Sequence, residues 1–317
     1  MESGIILNQI LVLGILVAVG IAAAATGVLN ETTKDTLAKV IFNITLPLML
    51  LTNFSRIDIT PRLLANSISM IWLSLGVMMI MLLVGWLSSG ILRLNRREAA
   101  IFRTHSVFGN IIYLGYPVVY ALFGEEGLLY ASMLQLVSNI LMWTLGVVML
   151  SAGNGTPVLK SMLKVFNINT YAILAGLLMF LTGLKMPEFL MKSLGGLGGS
   201  NTYLSMIYMG VLMYYSNIRG MLGNKIVYFL TFNKLLLVPV VVMLLFSLLP
   251  RFTGWNADQL VVAVLIVESS MPCMANIIIL ARVYGADEKL ATANVFVSTL
   301  FSLLTLPLVL YLLSRLI

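Results

Sequence analysis

The sequence predicts an all-α integral membrane protein of ten transmembrane helices. They form two inverted five-helix repeats whose fourth members, helices 4 and 9, are broken and cross. Three observations predict this. Of 317 residues, 60% are hydrophobic and only 10% charged, with a mean hydropathy of +1.02, whereas a soluble domain carries about 25% charged residues. Apolar segments long enough to cross ~30 Å of hydrocarbon as helices recur along the whole chain. Two of them, five segments apart, carry a mid-span proline followed by a similar glycine-acidic turn.

The spans fall near 5–29, 34–54, 66–92, 104–123, 127–152, 166–185, 194–216, 224–249, 256–284 and 289–314. The first is a span and not a removable signal: Met1-Glu2-Ser3 has no Lys or Arg, and the apolar run exceeds the ~7–15 residues of a signal core. The start of span 7, Leu194 to Gly199, is either a loop or a close-packing helix face. Residues 1–152 form the first repeat, 153–165 a short cytoplasmic link and 166–317 the second repeat. No connection is long enough for a domain outside the membrane.

Lys and Arg set the orientation. With the N-terminus outside, inner connections hold eleven: Lys34, Arg93, Arg96, Arg97, Arg103, Lys160, Lys164, Arg219, Lys225, Arg282 and Lys289. The outer side holds six: Arg56, Arg62, Lys185, Lys192, Arg251 and Arg315. Lys39 and Lys234 lie inside spans. The bias places both termini outside a cytoplasmic (inner) membrane, so the net charge of +7 mostly orients the chain in its lipid bilayer.

Composition also excludes. One cysteine, Cys273, and one histidine, His105, leave no internal disulfide, no Cys-based zinc site and no His-rich metal centre; no metal or other cofactor is expected. No basic, aromatic-interleaved cluster points to nucleic acid. A lone histidine and no acid dyad outside the connections argue against an enzyme; Glu125-Glu126 reads as solvated loop charge. A soluble enzyme, a disulfide scaffold and a disordered chain are excluded by the same composition.

The two halves mirror each other. Gly115-Tyr116-Pro117 in span 4 is followed by a turn at Gly124-Glu125-Glu126; Ser270-Met271-Pro272-Cys273 in span 9 is followed by Gly285-Ala286-Asp287-Glu288. A unit of five spans forces the second copy to enter the membrane upside down. Inverted repeats with helices broken at equivalent places are the mark of secondary transporters. Proline lacks an N–H and clashes one turn back, so each break frees backbone groups that lipid cannot satisfy. Half-helix N-termini then offer N–H groups and positive partial charge to an anion.

Polar side chains gather around the breaks: Asn110 in span 4, Asn276 in span 9, Gln135, Ser138 and Asn139 in span 5, and Thr292, Asn294, Ser298 and Thr299 in span 10. Amides donate and accept, which suits a carboxylate, a carbonyl or an indole N–H. The alternative for each is interhelical hydrogen bonding alone. Glu268 lies twelve residues into span 9, roughly 18 Å from the outer edge. A carboxylate there costs at least ~2.5 kcal/mol, so it faces a cavity or a partner. Lys234 in span 8 is a possible partner, or it reaches the inner edge. Glu268, Lys234 and Asn294 are the candidates for coupling an ion; His105, at the start of span 4, reads as an interfacial cap. No arginine sits at mid-depth to clamp an organic anion.

The stretches GNIIYLGYPVVYALFGEEG (109–127) and ESSMPCMANIIILARVYGADEKLAT (268–292), with Asn43-Ile44-Thr45-Leu46-Pro47 in span 2, resemble the auxin efflux carrier family. The family includes plant PIN-type carriers and bacterial carriers of malonate, malate and other organic acids. The resemblance implies the crossover fold shared with sodium/proton antiporters and bile-acid symporters. It implies a scaffold of spans 1, 2, 6 and 7, forming a homodimer, and a mobile transport domain of spans 3–5 and 8–10. An organic-acid substrate would sit between them, beside Asn110, Tyr113, Pro117, Pro272 and Asn276, with Gln135 and Ser138 near. The short 153–165 link differs from the long loop of plant carriers and favours the bacterial branch. The function implied is a secondary transporter of small organic anions working by elevator-type alternating access. A channel, which needs a continuous wet path, is the alternative.

Overall fold

In hydrocarbon every backbone polar group must be satisfied within the chain, so the apolar runs form helices, and local capping residues set their ends. The computed structural model describes residues 3–151, 166–215, 223–254 and 256–316. Met1, Glu2, the 153–165 link with Lys160 and Lys164, and Arg219 lie outside the described residues.

Helix α1 is Ser3–Ala25. Helix α2, Glu31–Arg56, starts at Asn30, whose side chain accepts the Thr33 N–H. Helix α3, Pro61–Ile91, has Thr60 as its cap and proline in its first turn, where no donor is needed. Helix α4, Arg96–Val107, opens on a capping box of Asn95 and Glu98. Helix α5 is Ile111–Ser151. At Gly124 (φ 64°) it folds back on itself, so that Tyr116 lies beside Ser132; a left-handed residue at this reversal favours glycine. Helices α6, Ile168–Thr182, and α7, Glu188–Tyr215, follow. Helix α8 is Lys225–Phe252, α9 is Gln259–Ser269, α10 is Asn276–Tyr284 and α11 is Glu288–Leu316.

These helices make ten spans as two inverted sets of five. Helix α4 with the first arm of α5 is span 4, and the second arm is span 5. Helices α9 and α10 are the two halves of span 9. Span 4 therefore begins at Arg96 and not at residue 104: Asn95 and Glu98 cap a polar first turn that hydropathy alone places outside.

The glycine run 194–199 is helix, not loop. A Cβ on Gly198 would lie 2.6 Å from the Met49 backbone nitrogen, so α7 and α2 pack backbone to backbone. Gly20 and Gly210 do the same for α1 and α7, touching the backbones of Ile207 and Val17. Small residues at such crossings replace the hydrophobic drive that lipid removes. Helix α1 packs along α7, and α2 packs on both α6 and α7; α1, α2 and α7 also touch α5.

Candidate functional site

The two broken spans meet in the protein interior. After α4 the chain is extended at Phe108, and after α9 it leaves helix at Ser270. The two short segments pair antiparallel, Gly109 opposite Cys273. Asn110 N–H donates to the Pro272 carbonyl at 2.7 Å, and Met274 N–H donates to the Phe108 carbonyl at 3.2 Å. The Cys273 N–H is taken by Ser298 Oγ at 3.0 Å. The backbone groups freed by the breaks are thus largely satisfied by each other, in a place lipid cannot reach.

The break in span 4 is therefore at residues 108–110, upstream of Pro117. Pro117 is buried in the first turn of a helical stretch that follows a π turn, Ile111–Gly115. The π turn ahead of it widens the helical ladder and accommodates the proline ring, so Pro117 does not itself interrupt the span. Pro272 does sit in the break.

Two helix N-termini converge on one pocket. Asn110 Oδ1 caps the first, accepting from Tyr113 N–H at 3.2 Å; Asn276 opens the second. The pocket is lined by Gly109, Asn110, Tyr113, Gln135, Ser138 and Asn276, with neighbouring backbone of both breaks. Five of the seven residues expected at a binding site thus come together; Pro117 and Pro272 do not line it. Gln135 also donates to Asn139 Oδ1 at 3.1 Å. The cavity is about 10 Å³, close to the volume a single water needs, so the site is collapsed around its own side chains.

Helix α7 packs against two of the pocket's residues, a contribution that no local motif signalled. Tyr208 stacks on Tyr113 with ring centroids 4.8 Å apart, and Asn110 Nδ2 lies 3.6 Å from Met209 Sδ. Both α7 side chains are buried, yet in the sequence they are two apolar residues among many.

Behind the pocket lie the C-terminal ends of α4 and α9. Lys234, fully buried in the π turn Asn233–Leu237 of α8, donates to the carbonyls of Ser106 and Val107, both at 3.1 Å. It neither reaches the inner edge nor forms an ion pair with Glu268 within 4.0 Å. It caps the negative end of α4.

Glu268 lies at 3% exposure, and neither carboxyl oxygen has a hydrogen-bond partner among the described residues. It presses on Gly115: a Cβ there would lie 2.9 Å from Glu268 Cδ. It lines a second cavity of about 20 Å³ with Ser74, Val107, Gly109 and Ser269. Ser74 Oγ, from α3, is also buried without a partner. That volume is enough for one water. Ser74 carried no sequence signal.

His105 corrects its expected place. It is fully buried, one turn before the break, because α4 starts nine residues earlier at Arg96. Its Nδ1 lies 3.2 Å from Asn294 Nδ2. Asn294 is thus engaged with His105, and not with Glu268 or Lys234. Glu125-Glu126 is also not free loop charge: Glu125 pairs with Arg56 at 3.2 Å and Glu126 with Arg62 at 2.8 Å.

Crossed half-helices holding a polar pocket inside a ten-span apolar body define a membrane transport protein. The chain matches the family described as "Membrane transport protein" over residues 5–161 and 158–310; it belongs to this family, the auxin efflux carrier-like transporters. It is 28% identical over 309 residues to an uncharacterized transporter of Methanocaldococcus jannaschii, covering 95% of this chain and 97% of that one. It is 28% identical over 304 residues to another of Methanothermobacter thermautotrophicus, covering 93% and 94%.

Proposed function

We propose that this transporter is a secondary carrier of small organic anions, carboxylates in particular, held at the crossing of spans 4 and 9. The observation that carries the proposal is the Asn110–Pro272 hydrogen bond. It fixes two helix N-termini, three amides and the Ser138 hydroxyl around one pocket with no acidic side chain in its lining. Oriented N–H groups and positive helix ends favour a carboxylate in a medium of low dielectric, and Asn110, Asn276, Gln135 and Ser138 supply its hydrogen bonds.

Movement is by an elevator. The group α3, α4, α5 and α8–α11 carries the pocket past the group α1, α2, α6 and α7, which also forms the homodimer contact. The pocket lies at the boundary of the two, under Tyr208 and Met209, and is too small for an organic acid until they part; this sealing supports a carrier over a pore. Glu268 exchanges a proton or a small cation during the cycle. Both termini lie outside the cytoplasmic membrane.

The test is a thermal-shift screen of mono- and dicarboxylic acids at several pH values, followed by exchange of labelled for unlabelled acid in proteoliposomes. A saturable exchange is expected for an acid that stabilises the protein. Single-channel currents, or no stabilisation by any carboxylate, count against the proposal.

A further inference from the structure

Helices α1 and α11 and the first arm of α5 leave a cavity of about 480 Å³ between them. Its walls include Gly14 and Val17 of α1, Leu114 and Val118 of α5, Met206 of α7 and Leu306 of α11. It shares no residue with the crossover pocket. Leu114, Val118, Met206 and Leu306 are buried, so the cavity reaches into the body of the protein. Leu11, Ile15 and Leu303, which also line it, are exposed. It therefore opens sideways onto the surface that lipid covers in a membrane transport protein.

The α1 and α11 lining residues lie in the middle of their helices, Ser3–Ala25 and Glu288–Leu316, at the depth of hydrocarbon. On α5 the lining residues are Leu114, Val118 and Leu122, every fourth position and so one face. They start just past the crossing and run toward Gly124. The groove is thus roughly 12 Å long at 1.5 Å per residue.

Chemistry selects what fills it. The lining has no charged side chain. Its one hydroxyl, Ser302, donates to the Thr299 carbonyl of its own helix at 2.7 Å. Water in a cavity needs several polar partners, and this wall offers almost none. Interiors hold few voids larger than a water, so a space of this size does not stay empty with liquid hydrocarbon at its mouth. Gly14 points the same way. Gly20 on the same helix is required by packing, since a Cβ there would lie 2.2 Å from the Ile207 backbone oxygen. A Cβ on Gly14 meets no protein atom within 4 Å. Its missing side chain leaves room for something other than protein.

We infer that this groove seats an acyl chain of a bilayer phospholipid, entering from the leaflet on the Gly124 side. A free fatty acid fits less well, because nothing in the groove holds its carboxylate; a phospholipid keeps its headgroup at the surface and inserts only the chain. Under the elevator proposal α1 and α11 belong to bodies that slide past each other. A fluid chain fills the changing space between them, where a second copy docked over the groove would tie them together. That role rests on the elevator proposal; occupancy of the groove does not.

The full chain is placed in vesicles containing a phosphatidylcholine with a photoreactive diazirine at mid-chain. After irradiation and proteolysis, mass spectrometry locates the adducts. Leu114 and Val118 are only 7% and 2% exposed, so adducts between them report a chain inside the groove. They are expected in wild type and lost in Gly14→Trp, whose indole occupies the groove and whose Cβ meets no protein atom. Gly14→Leu, a smaller filler, is expected to give a partial loss. Adducts near Trp72 and Met79, on the exposed surface of α3, are expected in all three and show equal access to bulk lipid. Size-exclusion and thermal-unfolding profiles matching wild type show that the variants are folded. No adduct between Leu114 and Val118 in wild type overturns the seat, as do adducts that persist unchanged in both variants. Labelling of that stretch only by a diazirine-bearing free fatty acid also overturns it, and so does efficient cross-linking of Leu303→Cys to a second copy. Acid exchange measured in parallel is expected to slow in Gly14→Trp. Adducts lost with exchange unchanged support the seat and remove its part in the movement.

Discussion

Lys234 and Ser106 are joined across the centre of the protein: the ammonium donates to the Ser106 carbonyl at 3.1 Å, and to the next carbonyl, Val107, at the same distance. Both are terminal carbonyls of α4, left without helical partners by the break. A charge at this spot offsets the negative end of the helix where lipid supplies no counter-ion. Lys234→Met keeps the length of the side chain and removes the donor. It is expected to destabilise the protein by roughly 2–4 kcal/mol, the effect of leaving buried acceptors unpaired. Lys234→Arg is not expected to restore it, because a fully buried site has no room for a guanidinium. Thermal unfolding in detergent reads both; an unchanged midpoint for Lys234→Met removes the capping role.

Asn110 does two things at once, and two substitutions separate them. Its Oδ1 caps the half-helix at Tyr113, and its amide faces the pocket beside Met209. Asn110→Asp keeps an acceptor at the cap, so stability is expected to change by less than about 1 kcal/mol. It also puts a negative charge where an anion is held, and carboxylate binding is expected to fall by more than tenfold, about 1.4 kcal/mol. Asn110→Ala loses the cap and weakens binding less. Calorimetric titration with the acid chosen by thermal shift decides; binding by Asn110→Asp as tight as wild type places the anion elsewhere.

Much of the fold was legible in the sequence. Long apolar runs admit only helices in lipid, and Pro272 marks a true break because the helix before it has already ended at Ser269. Asn110, Gln135, Ser138 and Asn276 stood out as amides and hydroxyls in apolar spans, and the fold gathers them. What was not legible depends on partners distant in the chain. Pro117 looked like a break but lies within a continuous helix, just after a π turn, and the extended segment at Phe108–Asn110 is set by pairing with Pro272–Met274, which no local rule contains. Tyr208 and Met209 of α7 touch the pocket residues Tyr113 and Asn110, contacts across about a hundred residues of chain. Lys234 meets Ser106 and Val107 instead of Glu268 for the same reason: the nearest uncompensated charge is a helix end, which hydropathy does not show.

Glu268 and Gly115 share one space, which gives a test of the unpaired carboxyl. A methyl on Gly115 would press into the Glu268 side chain. Gly115→Ala is therefore expected to destabilise by roughly 1–3 kcal/mol through overpacking. Placing it on a Glu268→Ala background, which vacates the space, is expected to recover most of that loss, a coupling visible in a double-mutant cycle. Additive effects show that the two do not touch. On the functional side, Glu268→Gln keeps the shape and abolishes ionisation. Uptake with the same pH and sodium dependence as wild type would remove Glu268 from coupling.

The neighbouring acids Glu125 and Glu126 face different helices. Arg56 of α2 holds Glu125 at 3.2 Å, and Asn53 of α2 donates to the Glu125 carbonyl at 3.1 Å. Arg62 of α3 holds Glu126 at 2.8 Å and Asp258, just before α9, at 3.4 Å. Under the elevator proposal the first set bridges the two bodies and the second lies within the moving one. Arg56 and Glu125 are partly exposed, so Glu125→Gln is expected to change stability by no more than ~1 kcal/mol. A covalent tie is a different matter. Bridging Arg56→Cys with Glu125→Cys by a short bifunctional thiol reagent is expected to stop uptake of the identified acid, with recovery when a cleavable bridge is reduced. Bridging Arg62→Cys with Glu126→Cys is expected to leave uptake near wild type, because it joins parts that travel together. Inhibition by both bridges, or by neither, contradicts a boundary between α2 and the α4–α5 side and with it the proposed movement. Only the unequal result fits a pocket carried past a fixed α2.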